Sequence, residues 1–400
     1  MALIKSVKTI RVKQYPNLIW VQLETDDGLI GLGESFRGAS AIEATIHDEM
    51  SSSLIGKDAR HIQALSNHLS KPYLGFNASG VETRAASAID IALWDLAGKR
   101  SGVPVFEALG GASRLGVDVY NTCAGYNFNS SAVGNKRRDI GKDDVASGAY
   151  DDQIAFMRDA GELAISLLDE GYKAMKIWPF DVFANKNRHR ISREDLKSGL
   201  APFEKVRKAV GDKIDIMCEL HSLWGGQAAE SICRGLEDFG VAWVEDPLHK
   251  MDDNYELSML RSRVDVPICG SETLAGVSSY KDMLSAGAVD FVMVDVAWCG
   301  GLSEARKIAA LAEAFNKPLA PHDCTGPVTL VAGMHLALHA PTAIYQEVVR
   351  ASMATWYRDL IDGLPEVKQG MLHAGSEPGL GITLSEGLLQ RDDLIVRESV

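Results

Sequence analysis

The pattern of apolar and polar positions divides the chain into two regions. Through residues 10–34 apolar and polar side chains alternate, with a break at Asp27 and Gly28, which is typical of a β-hairpin or meander. Between residues 42 and 99 the apolar positions recur at helical spacing, and small residues near the end of this stretch predict close helix packing. The first region is therefore predicted to combine a small sheet with helices.

After residues 110–111 short apolar strands alternate with amphipathic helices, which is typical of a parallel β/α fold. Strands are predicted at residues 117–122, 174–178, 214–220, 243–245, 268–270, 291–294, 318–320 and 344–346. Eight such strands favour a TIM barrel over an open doubly wound sheet. Residues 125–150 and 180–199 are longer and more polar than ordinary connections, so we expect them to be loops over the site. Residues 377–384 are predicted to return to the first region.

Size and charge narrow the classes of function. The chain of 400 residues is longer than a domain with a single hydrophobic core usually is. This length suits a barrel of roughly 250 residues with a second unit. A formal net charge of −13 argues against binding to nucleic acid or to anionic membranes. The cationic run at residues 186–193 is interpreted as a solvated loop. A small anionic substrate would need a local cation, which a bound metal can provide.

The cysteines and the N-terminus indicate a cytoplasmic protein. The six cysteines form no CxxC pair, so neither a zinc site nor a disulfide framework is indicated, and a reducing compartment fits. The N-terminal residues show no signal peptide, and no window approaches the roughly 18 apolar residues of a membrane span.

Three glutamates follow three successive predicted strands. Glu219 and Glu245 end their strands, and Glu272 comes just after the next one. Because the C-terminal ends of barrel strands converge on one face, these side chains are predicted to meet. One such glutamate alone is better explained as a strand-end cap or ion-pair partner, but three together would repel one another without a cation. Oxygen-only ligation predicts Mg²⁺, with Mn²⁺ as the alternative ion.

An aspartate and a histidine follow the next two strands. Asp295 ends the sixth predicted strand and His322 follows the seventh, so adjacent strands allow their side chains to touch. An aspartate that accepts from one imidazole nitrogen fixes the tautomer and raises the basicity of the other nitrogen. A core histidine bonded to a backbone carbonyl is the alternative, but next to a metal site a general base is favoured.

Two further candidate site residues, His221 and Lys176, can carry a positive charge. His221 lies two residues after Glu219, so strand alternation predicts both side chains on the same side. It is interpreted as a metal ligand or as an acid, and the acid is favoured because three carboxylates already supply ligands. Lys176 lies near the end of an apolar strand, where its ammonium would hold a substrate carboxylate or stabilise developing negative charge, although a surface position is commoner for lysine.

The last candidates are one glutamate and two histidines. Glu347, beyond the eighth predicted strand, would hydrogen-bond an enediolate oxygen if protonated, or would only pair with Arg350. His335 and His339 stand four apart with no acidic residue between them, so they are interpreted as part of a packed helix rather than as a metal motif.

Together these residues resemble the mandelate racemase subgroup of the enolase superfamily. The similarity extends over nearly the whole chain and is carried by motifs in the family's order at residues 88–99, 102–111, 243–247, 270–272, 295–301 and 377–381. The resemblance implies a (β/α)8-type modified TIM barrel at residues 116–365. It also implies an α+β capping domain built from both chain ends, residues 1–115 and 366–400, whose loops near residues 36–40 would close over the substrate.

The same resemblance implies roles for the candidate residues. It places Mg²⁺ at Glu219, Glu245 and Glu272, makes His322 and Asp295 a catalytic dyad, and gives Glu347 a partner role. The family's first metal ligand is more often Asp than Glu. A homo-oligomer is expected by family analogy.

A departure at the second strand bears on the reaction. Racemases of the family carry Lys-x-Lys there, and this chain has Trp178 at the second lysine position. A carboxylate ligand followed two residues later by a histidine is similar to the galactonate-type sugar acid dehydratases. This implies removal of the C2 proton of an aldonate or aldarate and loss of its 3-hydroxyl with help from His221, giving a 2-keto-3-deoxy acid.

Two other functions remain open. A racemase, epimerase or lactone cycloisomerase would use the same enediolate without losing water. A non-catalytic binding or regulatory protein on the same fold would lack ligands or the base, which this sequence retains.

Overall fold

The computed structural model describes residues 2–71, 79–126, 128, 146, 148–185 and 187–400. In these residues the strands are, in chain order, β1 (Ile4–Val12), β2 (Leu18–Thr25), β3 (Ile30–Phe36), β4 (Gly116–Thr122), β5 (Ala174–Ile177), β6 (Asp215–Glu219), β7 (Trp243–Glu245), β8 (Ile268–Gly270), β9 (Phe291–Val294), β10 (Leu319–Pro321), β11 (Gln346–Val348), β12 (Ile361–Asp362), β13 (Met371–His373), β14 (Thr383–Leu384) and β15 (Leu394–Ser399).

The helices of the described residues connect and cover these strands. They are α1 (Ala39–Ala44), α2 (Ser51–Leu54), α3 (Ile62–Leu69), α4 (Val81–Ser101), α5 (Val105–Ala108), α6 (Asp152–Asp169), α7 (Asp181–Ala184), α8 (Arg193–Val210), α9 (Gly226–Leu236), α10 (Asn254–Arg261), α11 (Gly276–Ser285), α12 (Gly301–Ala314), α13 (Pro327–His339), α14 (Arg350–Ala354), α15 (Trp356–Leu360) and α16 (Glu386–Leu389), with a π-helix at Thr45–Met50 and a 3-10 turn at Glu237–Phe239. Within this part of the chain, no helix has the length and apolar character needed to cross a bilayer.

Both chain ends lie in one antiparallel sheet, which forms the cap. Its strand order is β15–β1–β2–β3, and Val7 of β1 lies opposite Ser399 of β15. The turn between β2 and β3 contains Gly28 at a φ of 83°, a left-handed conformation that glycine adopts without strain. The predicted hairpin is therefore present, whereas the boundaries proposed near residues 115 and 365 stay predictions.

Helix α4 packs unusually closely on β3. A Cβ atom added at Gly33 would lie 1.9 Å from the carbonyl oxygen of Ala88, and one added at Gly31 would lie 2.2 Å from that of Ala92. Only glycine allows this approach, because any side chain would overlap the helix backbone. The close packing predicted from the small residues of α4 is thus achieved by glycines on the strand.

The second region is a parallel barrel, as predicted. The order β10–β9–β8–β7–β6–β5–β4–β11 follows the chain around the barrel. The ring is closed where the backbone of Leu319 bonds Thr342 at 3.0 Å and Ile344 at 2.9 Å, just before β11. β13 adds an antiparallel partner to β4. The chain therefore has the predicted fold, an eight-stranded barrel with an α+β cap.

Seven of the eight predicted barrel strands agree with the structure to within one residue at either end, and the eighth does not. It was predicted at residues 344–346 but β11 occupies Gln346–Val348. The apolar side chains of Ile344 and Tyr345 pack instead at the other end of the barrel, where the Tyr345 ring lies 5.9 Å from Tyr120. Glu347 consequently lies inside the strand rather than beyond it.

The two loops predicted over the site, residues 125–150 and 180–199, compare differently with the structure. Most of residues 125–150 lies outside the described residues, as does Lys186 of the cationic run. The stretch 180–199 was predicted to be a loop, but it contains α7 and the first turns of α8. Ser192 caps α8 by accepting from the Asp195 amide at 3.0 Å, so this helix begins earlier than its polar composition predicted.

Buried carboxylates join the cap to the barrel. Glu34 of β3 accepts from the Thr329 amide at 2.9 Å, at the start of α13, and burial raises its pKa to about 7. Asp90 of α4 accepts from the Ser303 amide at 2.9 Å, at the start of α12, and burial raises its pKa to about 6. Helix N-termini favour such acceptors. These contacts hold the cap over the C-terminal ends of the barrel strands.

Candidate active site

Each barrel strand places a polar side chain at the end that faces the cap. In order around the barrel these are Thr122 (β4), Lys176 (β5), Glu219 (β6), Glu245 (β7), Glu272 after β8, Asp295 after β9, His322 after β10 and Glu347 in β11. All except Glu272 are less than a tenth exposed. Parallel strands produce this convergence because their carboxyl ends share one face of the barrel.

The three predicted metal ligands come together. Glu219, Glu245 and Glu272 each offer a carboxylate oxygen, and these oxygens lie within 4.8 Å of one another. Burial, followed by the charge of Glu245, raises the pKa of Glu219 well above its usual range. The Oε2 atom of Glu219 is buried without a hydrogen-bond partner in the described residues. The group is thus an oxygen-only site with unsatisfied negative charge.

Lys176 is the positive charge next to this group. Its Nζ lies 2.5 Å from Glu245, 3.0 Å from Glu347 and 3.5 Å from Glu219. Burial lowers the pKa of Lys176, but the carboxylates of Glu245 and Glu347 outweigh it and hold the pKa well above its usual range. The lysine therefore stays protonated at neutral pH.

His322 and Asp295 form the predicted contact. Nδ1 of His322 donates to Asp295 at 2.7 Å, and Asp295 also accepts from the Ala297 amide at 2.8 Å. Nε2 lies 3.0 Å from Glu272 and 3.8 Å from Glu347. Burial lowers the pKa of His322, but Glu272 and Glu347 raise it well above its usual range. Asp295 thus directs Nε2 toward the carboxylates.

Glu347 contacts the site and does not pair with Arg350. Its carboxylate accepts from Thr122 Oγ1 and, at 3.0 Å, from the Asp323 amide, in addition to Lys176. The alternative of an ion pair with Arg350 is not found. The register of β11 turns Glu347 into the barrel, whereas Arg350 lies after the strand, on the other side of its wall.

Arg350 instead forms a buried ion pair with Asp152 at 2.7 Å, and both side chains are at most 4% exposed. We expect Arg350→Met to lower the free energy of unfolding by about 3–5 kcal/mol, because Asp152 would keep a buried charge without a partner. Urea unfolding measures this loss. The surface pair of Arg60 and Asp58 offers a control, and Arg60→Met is expected to lower the free energy of unfolding far less, because the Arg60 guanidinium is about half exposed to water. Equal losses in the two variants would contradict the prediction.

The backbone at His221 differs from the predicted strand. β6 ends at Glu219, and His221 has a φ of 49°, so alternation along a strand does not set its direction. Its amide donates to Glu219 at 2.5 Å, and its Nδ1 lies 2.7 Å from Asp181. His221 is not among the residues whose ligand atoms cluster with the three glutamates. Its Nε2 has no partner among the described residues.

Asp181, the partner of His221, was not among the site residues predicted from the sequence. It is the first residue of α7, within the stretch predicted to be a loop, and it is 6% exposed. An aspartate at such a position is ordinarily a helix cap, so no local signal distinguishes it. The ring of Trp178 packs 5.5 Å from the His221 ring and forms the wall beside it.

His335 and His339 belong to α13, as predicted. Nδ1 of His335 accepts from the Phe106 amide at 3.3 Å, and burial lowers its pKa to about 4. His339 bonds the Gly111 carbonyl at 2.9 Å. Both rings are satisfied by backbone groups, which is a structural role.

The chain matches known sequences over both regions. Residues 159–388 match the family described as Enolase C-terminal domain-like, and residues 5–110 match the N-terminal domain of Mandelate racemase / muconate lactonizing enzyme. A crystal structure of an enolase protein from the environmental genome shotgun sequencing of the Sargasso Sea is 53% identical, with a TM-score of 0.89, and the match covers 100% of this chain and 99% of that one.

The relatives with named activities include two sugar acid dehydratases. D-galactonate dehydratase of Xanthomonas euvesicatoria pv. vesicatoria is 30% identical over 96% of this chain and 94% of its own length. D-xylonate dehydratase of Haloferax volcanii is 29% identical over 95% of this chain and 86% of its own length. Similarity to dehydratases over the full barrel and cap places this chain among the lyases. The chain belongs to the mandelate racemase/muconate lactonizing enzyme family of the enolase superfamily.

Proposed function

We propose that the protein removes water from a sugar acid, abstracting the C2 proton and expelling the 3-hydroxyl. The observation that carries this proposal is a pair of imidazoles, each bonded to its own aspartate. His322 follows β10 and His221 follows β6, four strands apart in an eight-stranded barrel, so they face each other across the site. The related dehydratases named for D-galactonate and D-xylonate support a sugar acid as the substrate.

The residues present fit a divalent cation. Glu219, Glu245 and Glu272 would hold it, because carboxylate oxygens are the ligands that Mg²⁺ and Mn²⁺ prefer, and the buried Oε2 of Glu219 accepts no hydrogen bond among the described residues. Members of the enolase superfamily generally use Mg²⁺. When bound, the ion supplies Lewis-acid stabilisation of negative charge on the substrate.

His322 is the proposed general base, and a cation held by Glu272 would offset the carboxylate charge that raises the pKa of this imidazole. Asp295 accepts from Nδ1, so the other nitrogen, Nε2, is the one that takes the C2 proton. The electron pair of the C2–H bond then moves into an enediolate. Because Asp295 is buried and bonded also to the Ala297 amide, the imidazole is held in one orientation.

Lys176 and Glu347 form the proposed charge-stabilising pair. The protonated ammonium of Lys176 would act on the enediolate oxygens, whose charge develops as the proton leaves. Glu347 positions that ammonium through the contact at 3.0 Å. A hydrogen bond from protonated Glu347 to an enediolate oxygen stays a prediction.

His221 is the proposed acid. Asp181 holds its Nδ1, so Nε2 is free to donate a proton to the 3-hydroxyl. The C3–O bond breaks, a double bond forms between C2 and C3, and water leaves. The enol that results tautomerises to a 2-keto-3-deoxy acid. His322 then releases the C2 proton to solvent and His221 takes up a proton from solvent, so that both imidazoles return to their starting states.

A panel of sugar acids tests the function directly. The protein is incubated with Mg²⁺ and each aldonate or aldarate, and 2-keto acid formation is followed with semicarbazide and by NMR. We expect keto acid from at least one acid of the panel. If no acid of the panel yields a keto acid while the protein is folded and metal-loaded, dehydration is refuted.

The same pair of imidazoles also supports a second reaction. Proton removal on one face and return on the other would make the protein an epimerase, and lactone cycloisomerisation would use the same enediolate. Deuterium entering C2 without keto acid would favour these isomerases. A non-catalytic protein on this fold would show neither exchange nor keto acid.

The variant His221→Gln separates the two half-reactions. We expect keto acid formation to fall by about 10²–10⁴-fold, since glutamine cannot donate the proton that the leaving hydroxyl needs. Exchange of the C2 proton with deuterium should persist, because His322 remains. NMR in D₂O follows both signals in one sample.

The exposed His68, on α3 in the cap, provides the matched control. His68→Gln should leave exchange and dehydration at their original rates. A His221→Gln variant that still dehydrates at the original rate would exclude His221 as the acid.

A further inference from the structure

Arg84 of the cap reaches toward the active site. It lies in the first turn of α4, and its guanidinium donates to the Phe36 carbonyl at 2.6 Å. The guanidinium carbon lies 4.4 Å from the centre of the Trp298 ring. Trp298 in turn packs 5.6 Å from the His322 ring and donates to the same Phe36 carbonyl at 3.2 Å. The arginine is therefore held one aromatic ring away from the proposed base.

No carboxylate pairs with Arg84 among the described residues. The partly buried Arg11 and the buried Arg350 both have acidic partners, Glu43 and Asp152, at 2.7 Å. Partial burial of a cation without an anion is unfavourable, because the charge loses water and gains no counter-charge. The position is therefore one that an anionic ligand would stabilise.

The surroundings of Arg84 strengthen this imbalance. Burial lowers the pKa of Arg84, and the positive charge of Arg37 lowers it further. Asp295 and Glu272, which belong to the site, act in the opposite direction without touching the guanidinium. The Arg84 guanidinium is therefore close enough to the acidic groups of the site to be influenced by their charge, but it forms no ion pair with them.

The distance between Arg84 and the proposed base is short enough for one sugar acid to span. In an extended six-carbon chain the far carboxyl carbon lies roughly 5 Å from C2, given bonds of about 1.5 Å. Hydrogen bonds of about 3 Å at each end extend this reach. The guanidinium carbon lies 4.4 Å and the His322 ring 5.6 Å from the Trp298 ring, so the guanidinium and the imidazole are close enough for one extended diacid to reach both.

We propose that Arg84 binds the second carboxylate of a dicarboxylic sugar acid, so that the substrate class is the aldarates rather than the aldonates. The inference rests on the proposed dehydration of sugar acids and narrows it. The planar fork of a guanidinium matches a carboxylate through two parallel hydrogen bonds. An aldonate would present a neutral hydroxymethyl group at the same place and leave the cation unpaired.

Matched substrate pairs test the proposal. Galactarate and galactonate share every stereocentre and differ only in the terminal carboxylate, as do glucarate and gluconate, and 6-phosphogluconate adds a terminal phosphate. We compare kcat/KM for these acids with the original protein, with Arg84→Gln, and with Arg100→Gln. Arg100 lies at the other end of α4 and pairs with Asp27, so it is the control.

We expect a diacid to be preferred over its monoacid by about 10- to 100-fold, the effect of hydrogen bonds to a charged group. Arg84→Gln should remove most of this ratio, whereas Arg100→Gln should keep it. If monoacids or the phosphorylated acid are preferred, the proposal is overturned. A purely structural role for Arg84, holding Phe36, would lower kcat/KM equally for both members of a pair and would also overturn it.

Failure of this inference is distinguishable from failure of the proposed function. If monoacids yield keto acid and the ratio of kcat/KM between diacid and monoacid does not change in Arg84→Gln, dehydration is supported and the diacid proposal is excluded. Calorimetric titration of the His322→Asn variant with the same pairs, in Mg²⁺, measures binding without turnover. Tighter diacid binding that Arg84→Gln abolishes would support the carboxylate site even if no keto acid forms, and equal binding of both acids would refute it.

Discussion

Replacement of His322 by asparagine is expected to lower keto acid formation and C2 proton exchange together, by about 10²–10⁴-fold. Asparagine fits the space but has no basic nitrogen, so the first proton transfer loses its acceptor. This pattern differs from that of His221→Gln, which should stop dehydration and spare exchange. The measurements are keto acid assay and deuterium uptake in one preparation.

Two controls test whether the loss of activity is specific to the proton transfer. The exposed His373 of β13 lies away from the site, and His373→Asn should leave both rates unchanged. Calorimetry should show that His322→Asn still binds substrate, because Lys176 and the three glutamates remain. Exchange at the original rate in His322→Asn would show that another group removes the proton.

Removal of divalent metal is expected to have a comparably large effect. Exhaustive chelation should abolish keto acid formation, and added Mg²⁺ or Mn²⁺ should restore it, because a Lewis acid contributes several kcal/mol to charge stabilisation. Binding also has a readout apart from activity. Mg²⁺ at about a hundredfold excess over its Kd should stabilise the folded protein by roughly 2.7 kcal/mol.

The variant Glu245→Gln tests the assignment of the metal site. Glu245 is fully buried, lies close to Glu219 and Glu272 and contacts Lys176, so a neutral amide there should weaken metal binding and remove the Mg²⁺-dependent rise in Tm. Glu313→Gln, on the exposed end of α12, should retain that rise. Activity that survives chelation, or a Tm that does not respond to Mg²⁺, would count against a cation at these carboxylates.

The residues chosen for substitution occupy separate positions around the barrel. The two histidines follow opposite strands of the barrel. The three glutamates belong to β6, β7 and the segment after β8, and Lys176 lies on β5, next to Glu219. Each substitution therefore removes one function while its neighbours keep their places. Arg84 acts from the cap, so its loss changes which acid is accepted rather than the proton transfers.

Much of the barrel and its polar ring could be predicted from the amino-acid sequence. Apolar strand patterns locate seven strands, and the rule that parallel strands end on one face predicts that Glu219, Glu245 and Glu272 meet. The contact between Asp295 and His322 followed from adjacent strands in the same way. These inferences succeed because the strands recur at regular spacing along the chain, so their ends can be located without knowing the conformation of the loops.

Other features were decided only by the tertiary structure. The pair of Asp181 and His221 depends on where α7 folds back, and the stack of Arg84 on Trp298 depends on how the cap sits on the barrel. The register of β11 depends on Ile344 and Tyr345 filling the far end of the barrel. Periodicity reports which face of an element is buried, but it carries no information on which distant segments meet. The sequence alone therefore determined the barrel, its cap and the ring of acids, whereas packing between segments far apart in the chain decided which partner each histidine has and which charge faces the substrate.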